Sequence, residues 1–383
     1  MILNRTKYAI VRNGVIKYYT NSSSFNALSK VKGRFWYLEI ADTNSFTDEV
    51  LDEVIPLHVH NLIKNSNVQL MLIHSLEGFH SIVESIYKRL ICDKGVPEEK
   101  IIFYSESYNI LEAVNYWAEN LNKKPIKTVY ARIVECKFAN AIANKPVISD
   151  KQPITKKYLN LNRRWRPHRP TLVGLLASKN LLEQGYVSFP NEIDGNNWDN
   201  TFDYLLSLNQ NNKTIVSLLQ DNKEKIFNLP SLIVDIEDLS VNGNWLQIQH
   251  GIVNYYNKTM FSLISETNFY FEADKESSIF ITEKTYKAIL YRHPFVIAAV
   301  PHFLKALRDN GYKTFGDIIN EDYDSVEDDA DRLLMVLNEV ERLCNLTKDQ
   351  EEKFLIESKA ICDYNYNLLL SRTNLGDCLL SLN

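Results

Sequence analysis

Cysteine is scarce in this chain and shows no metal-binding or disulfide pattern. Cys92, Cys136, Cys344, Cys362 and Cys378 are the five in 383 residues, and none belongs to a Cys-x-x-Cys pair. An odd, scattered set excludes a disulfide framework or a structural zinc site as the organising device. Buried free thiols in a reducing compartment are expected instead. Long apolar runs are missing as well. The longest, Phe295 to Val300, falls far short of the roughly 20 residues needed to cross a bilayer. Met1-Ile-Leu-Asn-Arg leads into no apolar stretch of the kind a secretion signal carries. The expectation is a chain without a membrane span, in the cytoplasm, or in the host cytoplasm if phage-encoded. Positive charge is not in excess: the net charge is −5, so any nucleic-acid site must be a local basic patch. A Gly-x-Gly-x-x-Gly turn is absent from the first strand–helix unit, which argues against a dinucleotide cofactor. No Asp-x-Asp pair stands out to hold a metal. Asp328-Asp329 lies within the acidic run Glu321 to Asp331, which reads as a solvated face.

What is present is a regular alternation of strands and helices. Tyr8-Ala-Ile-Val-Arg and Val15-Ile-Lys-Tyr-Tyr flank Asn13-Gly14 and read as a hairpin. Strands follow at Arg34 to Ile40, Val68 to His74 and Ile101 to Tyr104, with helices at Phe79 to Leu90 and Ile110 to Leu121. Such alternation predicts a parallel α/β layer whose ligands sit at the carboxyl ends of the strands. In the first half those ends carry His74, Ser75, Glu77, Gly78, Ser105, Glu106 and Asn109. Lys145-Pro146 and Lys151-Gln152-Pro153 break the pattern, which places a domain boundary at 155/156. The length agrees with two domains, 1–155 and 156–383. A second α/β unit opens at Tyr158, with strands near Tyr186, at Met260 to Ser265 and at Pro294 to Val300. Long helices close the chain at Glu327 to Cys344 and Lys348 to Leu370.

Two constellations carry chemistry. The stretch Asn160-Leu-Asn-Arg-Arg-Trp-Arg-Pro-His-Arg puts four arginines and a histidine into residues 163–169, between a strand and a helix. Guanidinium forks and the N–H groups of a helix start both suit phosphate. The second is Phe280-Ile-Thr-Glu-Lys-Thr-Tyr-Lys-Ala-Ile. Thr282 is placed to cap a helix, Glu283 to accept two ribose hydroxyls, and Lys284 and Lys287 to face a diphosphate.

Thr282-Glu-Lys-Thr-Tyr-Lys-Ala-Ile, with His293-Pro-Phe-Val-Ile and Leu304-Lys-Ala-Leu-Arg-Asp-Asn-Gly-Tyr-Lys-Thr-Phe, resembles the (S/T)EK motif region of fucosyltransferase-like GT-B enzymes. It is still more similar to phage and bacterial glycosyltransferase-like proteins. The resemblance extends to Leu161–Arg169 and Ser265-Glu-Thr, and more faintly to the turn after His74. It implies two Rossmann-like halves with a cleft between them: residues 1–155 on the acceptor side, and 156–383, with C-terminal helices, binding a nucleotide-diphosphosugar, foremost a UDP-sugar. By that resemblance Arg163 or Arg164, together with Lys284, neutralises the diphosphate, with Arg169 and Lys287 in the same basic set. Glu283 holds the ribose, Glu266 lines the sugar or nucleotide pocket, and Thr282 caps the binding helix. Cations and a helix dipole can take a metal's part in stabilising the leaving diphosphate, so no cofactor or metal is expected. An inverting transfer needs a general base, for which Glu77 and His74 are the candidates and Glu106 the third.

The acceptor is open. The phage-like flavour points to 5-hydroxymethylcytosine in DNA, receiving an arabinosyl or hexosyl group, with Lys123 to Lys127 or Arg163 to Arg169 as the local basic patch. A surface polysaccharide or protein is the alternative acceptor. A catalytically inactive GT-B shell kept for binding, and a sugar epimerase or phosphatase-like enzyme on a related sheet, are the other readings.

Overall fold

The computed structural model describes residues 8–12, 15–19, 34–40, 55, 57–74, 81–143, 153–234, 250–271 and 278–373. Two separate sheets organise them, and the chain is an α/β protein with two Rossmann-like, mostly parallel layers, the fold class expected of a GT-B chain. One compact unit comprises Met1–Lys137, Glu272–Phe280 and Arg372–Asn383; the other comprises Phe138–Phe271 and Ile281–Ser371.

The first unit contains β1 (Tyr8–Arg12), β2 (Val15–Tyr19), β3 (Arg34–Ile40), β4 (Val68–His74), β5 (Ile101–Ser105) and β6 (Lys127–Tyr130), in the order β2-β1-β3-β4-β5-β6. β1 and β2 pair antiparallel as the hairpin reading requires, whereas Asn13-Gly14 lies outside the described residues. All other pairings are parallel. A strand in the middle of such a layer is covered on both faces and reads as a continuous apolar run rather than an alternating one. Leu70, Met71, Leu72 and Ile73 of β4 are accordingly all buried. The helix expected over 79–90 starts at Ser81 and widens at Ile86 into π-helical turns through Asp93, keeping Ile86, Leu90 and Ile91 in the core. Lys123, Lys124 and Lys127 are exposed, but they lie where the chain enters β6. In a parallel layer that is the amino-terminal edge, opposite the carboxyl ends.

The second unit contains β7 (Lys156–Leu161), β8 (Gly185–Ser188), β9 (Thr259–Ser265) and β10 (Phe295–Ala298), in the order β10-β9-β7-β8, all parallel. β7 has its sequence neighbour β8 on one side and β9 on the other, so the winding direction of the sheet reverses between β7 and β9. That is a topological switch point, where loops leaving the carboxyl ends diverge and open a crevice. The helix His168–Ser178 after β7 is buried along nearly its whole length. Gly174 permits this: a Cβ there would meet Leu219 Cδ2 at 2.9 Å.

The acidic run at 321–331 is not uniformly a solvated face. Asp322, Glu327 and Asp328 are exposed, but Glu321, Asp324 and Asp329 turn inward. Asp324 accepts from the N–H groups of Leu304 (2.7 Å) and Lys305 (3.0 Å), capping the helix Phe303–Asp309 from outside it. Glu321 accepts from Phe315 N–H at 2.6 Å and Thr314 Oγ1 at 2.8 Å. Asp329 accepts from Phe271 N–H and from Arg332, a buried guanidinium that also donates to the carbonyls of Ala299, Val326, Glu327 and Phe269. Burial raises the carboxyl pKa of all three acids. Orphan backbone donors on neighbouring segments recruited them, a demand that local charge density does not reveal. Among the described residues no helix is long and apolar enough to cross a membrane.

Candidate functional site

The switch point between β7 and β9 gathers most of the donor-site candidates inside the second unit. Its floor is an amide and hydroxyl ladder. Asn160 Nδ2 donates to Leu263 O at 2.7 Å and to Ser265 Oγ at 3.3 Å, tying β7 to β9. Asn162 Nδ2 donates to Asn160 Oδ1 at 2.6 Å, while the buried Asn162 Oδ1 has no partner.

Above this floor the basic loop folds partly inward. Arg169 is only 2% exposed. Its guanidinium donates to Arg164 O at 2.8 Å and to Ser265 O and Glu266 O at 3.2 Å each, and its buried Nε has no partner. Burial lowers its pKa to about 10, with Glu266 opposing the shift, so it remains a cation at neutral pH. Carbonyls supply its hydrogen bonds, and the carboxylates of Glu266 and Glu283 favour its charge. His168 is buried beside it, stacked on Phe269 at 4.9 Å. Its Nε2 lies 3.0 Å from Glu266 O, which requires an Nε2–H tautomer. Burial first, and Arg169 second, hold its pKa well below the ordinary value, so the ring is neutral. Arg163 is half-buried. Arg164 is exposed and pairs with Asp194 at 2.9 Å, and Arg166 is exposed. Of the four arginines, therefore, one is buried, one is half-buried and two are exposed.

The second motif packs against the same end of β9, through Glu266. Glu283–Leu290 is a helix capped by Thr282, whose Oγ1 accepts from Lys284 N–H at 3.3 Å. Lys284 Nζ lies 3.1 Å from Thr267 Oγ1 and from Thr282 Oγ1, 3.3 Å from Glu283 Oε1 and 3.9 Å from Glu266 Oε2. Burial pushes the Glu283 carboxyl up, but Lys284, Lys287 and its own backbone N–H outweigh that and leave it below the ordinary value. Lys287 is half-buried one turn further along. Glu266 is fully buried and accepts from Thr282 and Thr285 hydroxyls at 2.6 Å each. This carboxylate is engaged from within the fold instead of lining an open pocket. Thr267, Thr285, Asn160 and Asn162 were not singled out from sequence. The spacing Thr282-x-x-Thr285, which puts two hydroxyls on one turn, was the available signal.

The base candidates belong to the first unit. His74 ends β4, opposite Ser105 of β5, and is fully buried. Glu77 lies outside the described residues. Glu106 is buried and accepts from Val134 N–H, so it caps the helix Ile133–Ala143. Asn109 Oδ1 accepts from Ser107 Oγ and from Ile279 N–H at 3.0 Å each. Among the described residues no group of three or more His, Cys, Asp or Glu could hold a metal ion.

No protein-family model and no curated protein matches the sequence. The chain is similar in structure to a DNA-modifying β-glucosyltransferase, solved with and without its substrate uridine diphosphoglucose. The identity is 11% and the TM-score 0.38, over 90% of this chain and 98% of that one. It is also similar to the N-terminal domain of trehalose-6-phosphate phosphatase from Candida albicans, at 11% identity and a TM-score of 0.43, over 93% of this chain and 70% of that one.

Proposed function

We propose that this protein is a glycosyltransferase that holds a nucleotide-diphosphosugar, foremost a UDP-sugar, at the carboxyl ends of β7 and β9 without a metal. The observation that carries the reading is the buried Arg169, a cation with a spare Nε–H, on the same strand-end region as Lys284 and a capped helix N-terminus. Fixed cations and helix N–H groups are what a departing diphosphate requires. Glu283, ionised beside Lys284, is the acceptor for ribose hydroxyls. Of the described cysteines, Cys136, Cys344 and Cys362 are buried as expected and Cys92 is exposed; four unpaired thiols support a reducing, cytoplasmic setting.

The acceptor in this reading is 5-hydroxymethylcytosine in DNA, taking an arabinosyl or hexosyl group, with His74 or Glu77 as the base. The phage-like resemblance and the exposed arginines 164 and 166 support it. A base inside a duplex has to be rotated out, which costs a few kcal/mol recovered from phosphate contacts, so turnover should fall steeply with salt. A polysaccharide or protein hydroxyl is the second reading. It is favoured by the net charge of −5 and by the position of Lys123–Lys127 at the amino-terminal sheet edge, away from the strand ends.

Calorimetric titration with UDP and UDP-sugars in chelator tests the donor half; a strict need for magnesium or manganese would overturn it. Nucleoside mass spectrometry after incubating hydroxymethylated DNA with nucleotide-pentoses and hexoses tests the acceptor. Donor binding without added sugar mass would shift the case to the second reading. Donor binding without turnover on any acceptor would leave a binding shell.

A further inference from the structure

Glu266 has no exposed surface, yet four groups converge on its carboxylate: the hydroxyls of Thr282 and Thr285 at 2.6 Å, the Thr267 N–H at 3.1 Å and the Lys284 ammonium at 3.9 Å. A hydroxyl has one proton and two lone pairs. Because Thr282 gives its proton to Glu266, only its lone pairs remain to face Lys284. It accepts both the Lys284 N–H at 3.3 Å and Lys284 Nζ at 3.1 Å. A single hydroxyl thus caps the helix and holds the ammonium, and the carboxylate beneath fixes which way it points. Thr267 Oγ1, on the residue after Glu266, supplies the second seat for Nζ at 3.1 Å. Thr285 binds the other carboxylate oxygen, Oε1, and its hydroxyl bond does not involve Lys284.

We propose that Glu266 is a positioning residue of the anion site: through Thr282 it orients the Lys284 ammonium and the helix N-terminus toward a diphosphate, without touching the ligand itself. The proposal rests on the donor-site reading above. Its chemistry predicts an asymmetry. A glutamine at this position offers one oxygen and one NH₂ group, so one threonine hydroxyl must reverse and accept. The Thr267 N–H and the Thr282 hydroxyl both donate to Oε2, so the amide oxygen takes that position, Thr282 keeps its direction, and the NH₂ group faces Thr285. Thr285 can reverse without consequence for the ammonium.

The test is a double-mutant cycle read by calorimetry, with inorganic pyrophosphate and UDP as probes. Glu266→Gln is expected to leave affinity for both probes within about twofold, whereas Glu266→Met, which offers Thr282 no acceptor, should weaken both about tenfold, the scale of one charge-assisted hydrogen bond, and have no further effect in a Lys284→Met background. Thr282→Val should match that loss, and Thr282→Ser should restore affinity. Thr285→Val should lower the melting temperature while leaving affinity within about twofold, the error usual for uncoupled sites. Equal losses from Glu266→Met in both backgrounds would overturn the proposal, as would wild-type affinity in that variant. Should Glu266→Met fail to fold, the two threonine variants decide: equal effects on affinity would overturn it. If the unaltered protein binds neither probe, the donor-site reading falls and this proposal with it. Binding without coupling removes the proposal alone.

Discussion

The carboxyl-terminal edges of the two sheets are rich in the same residue types, yet they differ in how charge is matched. In the first unit, Glu106 is spent on the helix starting at Ile133, and Ser107 and Asn109 bond to one another and to the segment 278–280. Tyr108 N–H likewise donates to Ile279 O, at 2.8 Å. Those groups hold the fold together. In the second unit a buried cation is hydrogen-bonded only to carbonyls, and Asn162 Oδ1 and Arg169 Nε lack partners. The first edge also has one buried atom without a partner, the neutral Tyr104 Oη, so what sets the second edge apart is the charge on its spare donor, which a ligand can complete. Polarity by itself is a poor guide to a site; the balance of donors, acceptors and charge discriminates.

Acid should act on the second unit through two buried histidines, His168 beside the strand ends and His293 at the opposite, amino-terminal end of β9 and β10. Burial lowers the pKa of His293 from 6.5 to about 4, opposed by its bond to Thr259 O, and holds His168 well below its ordinary value. The unfolded chain takes up these protons below about pH 6.5 while the folded chain refuses them, so stability is full above that pH and declines as pH falls toward 4. For His293 alone the loss approaches about 3 kcal/mol. Urea unfolding at pH 7 and pH 4.5 measures it, and a His293→Gln variant should show a shallower decline. An identical pH slope in that variant would remove the histidine from the account.

Lys284→Met should weaken UDP roughly ten- to a hundredfold, the equivalent of about 1.5–3 kcal/mol for a charged hydrogen bond. Its effect on stability should be small, because the ammonium is partly exposed. Glu283→Ala should weaken UDP toward the lower end of that range, about tenfold, yet leave pyrophosphate unaffected, since its role is with the ribose. Normal circular dichroism with unchanged UDP affinity would refute it. The smallest effect sharpens the contrast from the other side. Glu106→Ala should destabilise the protein by about 1 kcal/mol, as loss of a helix cap does, with no change in UDP affinity. A nucleotide effect there would mean that the first edge is not merely structural.

The strands and helices were legible because each is written in a local period. The run Val68–His74, the strand at Met260 to Ser265, and the Thr282–Glu283 helix start all occur as expected. The basic loop and the Thr282-Glu-Lys turn were visible as charged strand-to-helix junctions. Their meeting at one point was not, because it depends on β7 pairing with β9 across about a hundred intervening residues. The same limit explains the acidic run, where the partners of Asp324 come from residues 304 and 305.

By itself, then, the sequence determined the identity of the elements and the supply of charge: two α/β units, a cluster of arginines and a capped helix bearing lysine. The tertiary structure alone decided which charges are buried and which are answered. Arg169 is buried because its acceptors are the carbonyls of Arg164, Ser265 and Glu266, and Arg164 is exposed because its partner Asp194 lies on a surface loop. Periodicity is a property of neighbouring residues. The free energy of a buried charge is set by whichever distant atoms the fold brings within hydrogen-bonding reach.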